Sequence, residues 1–130
     1  HLVVGPDGVA VVLAVVALKC ADVACRALNV YRNGGSAEIE VLGRKCKCLL
    51  VPGHTKGGMC YYFPEEHVVF TGDTLFCYSV GRTDFPTGDA KALEDAIREK
   101  LFVLPDETLV LPGHDAQTMI GKEKTGNPYF

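Results

Sequence analysis

No stretch of this sequence approaches the ~20 consecutive apolar residues of a bilayer-spanning helix. The longest apolar run is Val9–Leu18. No basic region precedes it, and Ala21-Asp22-Val23-Ala24 only faintly echoes a small-residue cleavage site, so a signal peptide is not expected. Positive charge is not in excess either. Thirteen Lys and Arg against sixteen Asp and Glu leave a net charge of −3, with a pI near 5.8. That argues against nucleic-acid and membrane partners, both of which want a basic face. Any Cys-x-x-Cys pair is missing, which removes the usual zinc-ribbon and thioredoxin patterns. Internal repeats and low-complexity segments are missing too. Residues 1–30 hold no aromatic side chain and four charged ones (Asp7, Lys19, Asp22, Arg26), with Val and Ala making up half.

What is present is ordinary for one folded domain. The chain has 130 residues, 48% apolar and 22% charged, which excludes a disordered or fibrous protein. That length supports one hydrophobic core. The six cysteines (Cys20, Cys25, Cys46, Cys48, Cys60, Cys77) are even in number. Even so, a chain of this size and apolar content needs no disulfide staples. They read as free, mostly buried thiols in a reducing, cytoplasmic setting. Cys46 and Cys48, two apart in a strand-like run, point to one face.

The Val9–Leu18 run has no clean period and suits either a buried strand or a buried helix. Asn33-Gly34-Gly35 is turn chemistry. Glu38–Leu42 and Cys46–Val51 read as a hairpin linked by Gly43-Arg44-Lys45, and Met59–Phe63 with His67–Thr71 as a second pair around Pro64-Glu65-Glu66. A helix is expected over Asp89–Leu104. Asp89 is its N-cap, Leu93, Ala96, Ile97 and Leu101 form its apolar stripe, and Pro105 stops it. Thr108–Leu111 reads as a short buried strand. The class is α/β.

Three loops share one design. Val51-Pro52-Gly53-His54-Thr55 ends a strand in a glycine turn and presents a histidine. Phe70-Thr71-Gly72-Asp73-Thr74-Leu75-Phe76 does the same with a carboxylate, and Leu109-Val110-Leu111-Pro112-Gly113-His114-Asp115 nearly copies the first. One Pro-Gly-His turn alone is most often just a turn with a surface histidine. Three strand–glycine–ligand loops are how a rigid scaffold places a site. His67 lacks that setting and reads as a surface histidine. Asp84 and Asp89 read as turn and cap residues.

These residues resemble the metallo-β-lactamase-fold hydrolases, and within them the glyoxalase II-like branch, over about residues 33–130. The likeness rests on Val51-Pro52-Gly53-His54-Thr55-Lys56-Gly57-Gly58, Phe70-Thr71-Gly72-Asp73-Thr74-Leu75-Phe76, Gly81-Arg82-Thr83-Asp84-Phe85-Pro86-Thr87-Gly88-Asp89 and Leu111-Pro112-Gly113-His114. The tail Thr118-Met119-Ile120-Gly121-Lys122-Glu123-Lys124-Thr125-Gly126-Asn127-Pro128-Tyr129-Phe130 adds to it. The resemblance implies a partial αββα sandwich, the second half of that fold. It also implies a metal site in which His54 binds the first metal, Asp73 bridges both and His114 binds the second. Zinc is the implied ion, with iron or manganese as alternatives, in an incomplete site expected to bind one ion weakly at most, substoichiometrically or not at all. The implied substrate is a small-molecule glutathione-type thioester. Gly81-Arg82 matches a family pair, and Arg82 is expected to brace the site loop through Asp84 or Asp115.

The family pattern also has a His-x-His-x-Asp-His loop, and these 130 residues contain none. Placing its Asp-His on Asp7-Gly8 puts the earlier histidines on Val3 and Gly5. Matching the following helix to Val16-Ala17-Leu18-Lys19 puts the Asp-His on Ala10-Val11 and the earlier histidines on Pro6 and Gly8. The chain opens at His1, so it is read as a processed or partial single domain, residues 1–130, with residues 1–30 a divergent Val/Ala-rich segment. Weak or no hydrolysis is expected, together with homo-oligomerisation to cover an open edge and apolar face. Two other readings stand beside it: a non-catalytic binding protein that retains the fold, and an iron-dependent persulfide dioxygenase relative.

Overall fold

The computed structural model describes residues 36–41 and 43–130. The expectations for Val9–Leu18, Asn33-Gly34-Gly35, Cys20, Cys25 and the 1–30 segment lie outside them. Strands β1 (Ser36–Val41) and β2 (Arg44–Leu50) pair antiparallel, with Val41 opposite Arg44. The link is thus tighter than expected: Arg44 and Lys45 are already ladder residues. Gly43 turns the chain at φ +77°, a left-handed conformation that glycine adopts freely. The register sets Glu38 opposite Lys47 and Glu40 opposite Lys45, opposite charges on the exposed part of one face.

β3 (Met59–Phe63) and β4 (Val68–Gly72) continue the antiparallel order, and His67 sits in their turn at φ 57°. A small hairpin follows, β5 (Leu75–Phe76) with β6 (Ser79–Val80). The chain then crosses through helix α1 (Ala90–Ala96) to β7 (Leu109–Pro112), which lies parallel to β4. β8 (Thr118–Met119) and helix α2 (Ile120–Gly126) end the fold. The main sheet runs β1-β2-β3-β4-β7-β8. β7 starts at Leu109 rather than Thr108, because the Thr108 amide is held by the Pro105 carbonyl in a turn.

Asp89 caps α1 as expected, its carboxylate accepting from the Ala92 amide at 3.0 Å. The predicted stripe is buried: Leu93, Ala96, Ile97 and Leu101. The helix does not continue to Leu104. Residues Ile97–Leu101 form a π-helical turn closed by Phe102 N–H donating to the Ile97 carbonyl. The widened turn lets Leu101 and Phe102 both face the core, and Phe102 meets Phe130 edge-on at 4.7 Å. Asp89→Ala is expected to cost about 1 kcal/mol, the usual worth of such a cap, in urea unfolding.

Both faces of the sheet bury apolar side chains, the pattern of an inner layer. One face carries Leu49, Cys60, Tyr62, Val69 and Val110 against α1 and the π turn. The other carries Ile39, Cys46, Cys48 and Phe63. The four described cysteines are free, as expected, and three are buried. A hydrogen bond between Cys46 and Cys48 pushes the Cys46 thiol up, with burial adding to it, and holds Cys48 down. Burial pushes Cys60 up to about 12.

Candidate metal centre

In the observed order, β2, β4 and β7 run in one direction, because β3 is antiparallel to both its neighbours and β7 is parallel to β4. Their carboxyl ends therefore share one edge, the usual place for a site in such sheets. Each ends in a glycine turn, and the three turns present His54, Asp73 and His114. The structure brings these three predicted residues together.

His54 Nε2 lies 3.6 Å from Asp73 Oδ2, and His114 Nε2 lies 3.1 Å from Asp73 Oδ1. Each carboxylate oxygen thus faces a different imidazole. His54 is the more enclosed, its side chain 19% exposed against 72% for His114. Its Nδ1 lies 2.8 Å from the Arg82 carbonyl, and its ring meets Phe85 edge-on at 5.2 Å. The carbonyl can only accept, so Nδ1 donates to it, and Nε2 is the ring nitrogen that faces Asp73. His114 has a looser neighbour in Phe76, with ring centroids 6.0 Å apart.

The loops are fixed by backbone contacts. Gly113 N–H donates to the Gly72 carbonyl at 2.8 Å, tying the Asp73 and His114 turns together across β4 and β7. Asp89 N–H donates to the Gly53 carbonyl, which anchors the His54 loop to the start of α1. Gly53 stands at φ +135°, and any Cβ there would collide with Leu93, so the turn that aims His54 admits only glycine. At Gly81 a Cβ would overlap the Asp73 carbonyl oxygen.

The residues enclose a cleft of ≈ 500 Å³ that Phe76, Val80 and Phe85 line on the apolar side. Sequence reasoning missed these walls. Phe76 and Phe85 sit inside the quoted motifs, but nothing in their spacing shows that they face the cleft. His67 lies at the turn entering β4, the opposite end of the strands, and is exposed as expected. Arg82 grips Asp84 with two hydrogen bonds of 2.7 Å and lies over the Phe85 ring at 4.7 Å. The guanidinium holds the Asp84 carboxyl down to about 2. Both side chains are 65% exposed, so the ion pair itself contributes little. Arg82→Ala is expected to lower the thermal midpoint by a few degrees through lost cover on Phe85 and a loosened His54 loop. An unchanged midpoint would show that Arg82 only faces solvent.

Two imidazoles and a carboxylate with both oxygens engaged are a donor set that zinc and iron accept. Among the described residues no three His, Cys, Asp or Glu side chains gather closely enough to hold one ion alone. Asp73 lies between the two imidazoles, one carboxylate oxygen toward each.

The profile of the Metallo-beta-lactamase superfamily matches residues 36–114. Hydroxyacylglutathione hydrolase GloC of Haemophilus influenzae is 45% identical over 92 residues, which cover 71% of this chain and 43% of that protein. Among solved structures, ETHE1 from Myxococcus xanthus is similar with a TM-score of 0.67 and 43% identity, over 72% of this chain and 43% of that one. TTHA1623 in a di-iron-bound form has a TM-score of 0.63 and 45% identity, over 65% of this chain and 42% of that one. This chain therefore spans less than half the length of these proteins.

Proposed function

The chain belongs to the metallo-β-lactamase superfamily, and we propose that it carries half of a glyoxalase II-like site for hydrolysing glutathione-type thioesters. Its mixed α/β layers are part of that fold, and the chain is metallo-hydrolase-like. One observation carries the finer reading: the two Asp73 oxygens face separate imidazoles at the edge where three strands end. In this reading His54, Asp73 and His114 are the residues that would hold the metal. A bound zinc, iron or manganese would polarise the thioester carbonyl and acidify water. The chain's own residues hold His54 by the Arg82 carbonyl, fix Asp73 by the Gly72–Gly113 contact, and supply an apolar wall for the acyl group.

Metal titration of the chain, read by chelator competition, tests this. Zinc, iron or manganese bound by wild type, even weakly, and lost from His54→Ala and His114→Ala supports the site. Indifference to both substitutions refutes it and favours a non-catalytic binding protein. A second reading, an iron-dependent persulfide dioxygenase relative, draws on the likeness to ETHE1. It predicts iron rather than zinc in the purified chain and oxygen uptake with a persulfide. The proposal is completed by homo-oligomerisation in a cytoplasmic setting, with no nucleic acid or membrane as partner. Among the described residues no helix is long and apolar enough to cross a membrane. Sedimentation velocity giving a clean monomer would remove the oligomer from the proposal.

A further inference from the structure

Glu123 is fully buried in α2, a costly place for a carboxylate unless donors surround it. It has three. Oε1 accepts from the Tyr78 amide at 2.8 Å and from Asn127 Nδ2 at 3.0 Å, and Oε2 accepts from Thr118 Oγ1 at 2.6 Å. Asn127 also donates to the Ser79 carbonyl at 3.1 Å. The C-terminal segment thus clasps the β5–β6 hairpin at its turn, through side chains that form no part of the metal centre. The turn needs a clasp. Tyr78 stands at φ 57°, a left-handed conformation that a bulky residue adopts only under constraint.

The hairpin is the wall of the site. Phe76 in β5 faces the His114 ring, and β6 leads directly into Gly81 and Arg82. Gly81 N–H donates to the Thr74 carbonyl at 3.0 Å, and the Arg82 carbonyl holds His54 Nδ1. Displacing the turn would therefore disturb both imidazoles, on opposite sides of Asp73. We infer that Glu123 is a positioning residue which, through Tyr78 and the hairpin, sets the orientation of His54 and His114. The inference rests on the metal-centre reading above for its consequence on metal binding, and on the contacts alone for its consequence on the imidazoles.

The test follows two readouts in the full chain: zinc affinity by chelator competition, and the His54 and His114 imidazole resonances of the metal-free protein by NMR. Glu123→Ala is expected to shift both sets of resonances and to weaken zinc at least about tenfold, the lower range for lost outer support. Glu123→Gln is expected to restore both, since its amide can accept from Tyr78 and Asn127 and donate to Thr118. If Glu123→Ala does not fold, Asn127→Ala, which releases Ser79, is expected to move the same resonances with a smaller loss of zinc affinity. Unchanged imidazole resonances in a folded Glu123→Ala overturn the inference however much stability falls, and so do unchanged resonances in Asn127→Ala where it stands in. A defect that Glu123→Gln does not restore also overturns it. A wild-type chain that holds no zinc refutes the metal-centre reading instead, and the imidazole resonances then decide this inference by themselves.

Discussion

Asp73→Ala is expected to abolish bound metal while leaving the secondary structure in place. The carboxylate lies between the two imidazoles, 3.6 Å from one and 3.1 Å from the other. In the proposed metal site its removal would take away a ligand together with the negative charge that favours cations there. Losing a group that only supports a ligand typically costs about 10–100-fold in affinity, and losing a direct ligand is expected to cost at least as much. The fold should tolerate the change. Asp73 is 46% exposed, and the turn around it is held by the Gly113–Gly72 and Thr74–Thr71 backbone contacts rather than by its side chain. Circular dichroism and metal analysis on the same sample provide the check. Unchanged metal content would refute the assignment, and a lost fold would show Asp73 to be structural.

The three loops were legible because each couples two local signals, a β-rich run that ends and a glycine that turns it. Gly53 shows why that signal is reliable. Its backbone lies at φ +135° with Leu93 against it, so no other residue could make the turn. That the loops meet was not legible from spacing. It depends on β4 pairing in parallel with β7 after a crossover through α1; the repeated loop design pointed to a shared site, and the family resemblance supplied the role of each residue in it. The cap and stripe of α1 were readable from Asp89 and the apolar period. The π turn was not: it goes with a contact remote in sequence, Phe102 against Phe130, that no local pattern announces. Glu123 was hidden for a related reason. Ile120, Glu123 and Asn127 share one helical face, and their burial identifies it as the inner face. From sequence alone, a glutamate between two lysines reads as solvent-facing.

The 130-residue polypeptide is expected to turn over S-lactoylglutathione more than about 100-fold below the usual enzymatic median of ~10 s⁻¹. Acidifying water at a metal depends on a filled and well-oriented coordination shell. The four histidines of the sequence are His1, His54, His67 and His114. Two of them are at the site. His67 is at the turn entering β4, the far end of the sheet from Asp73, and cannot reach it. His1 lies outside the described residues and has no histidine near it in sequence. No thiol cluster makes up the difference among the described residues: Cys46, Cys48 and Cys60 are buried within the sheet layers, not in the cleft. Each ion would then have one imidazole and a share of one carboxylate, too few to hold it firmly. The assay is thioester turnover with zinc, manganese or iron added, compared with His54→Ala. A rate near ~10 s⁻¹ that disappears in His54→Ala would overturn the expectation of weak activity and place a working hydrolase at this site. A slow rate that rises with metal concentration and falls in His54→Ala is the result expected from a half-built site.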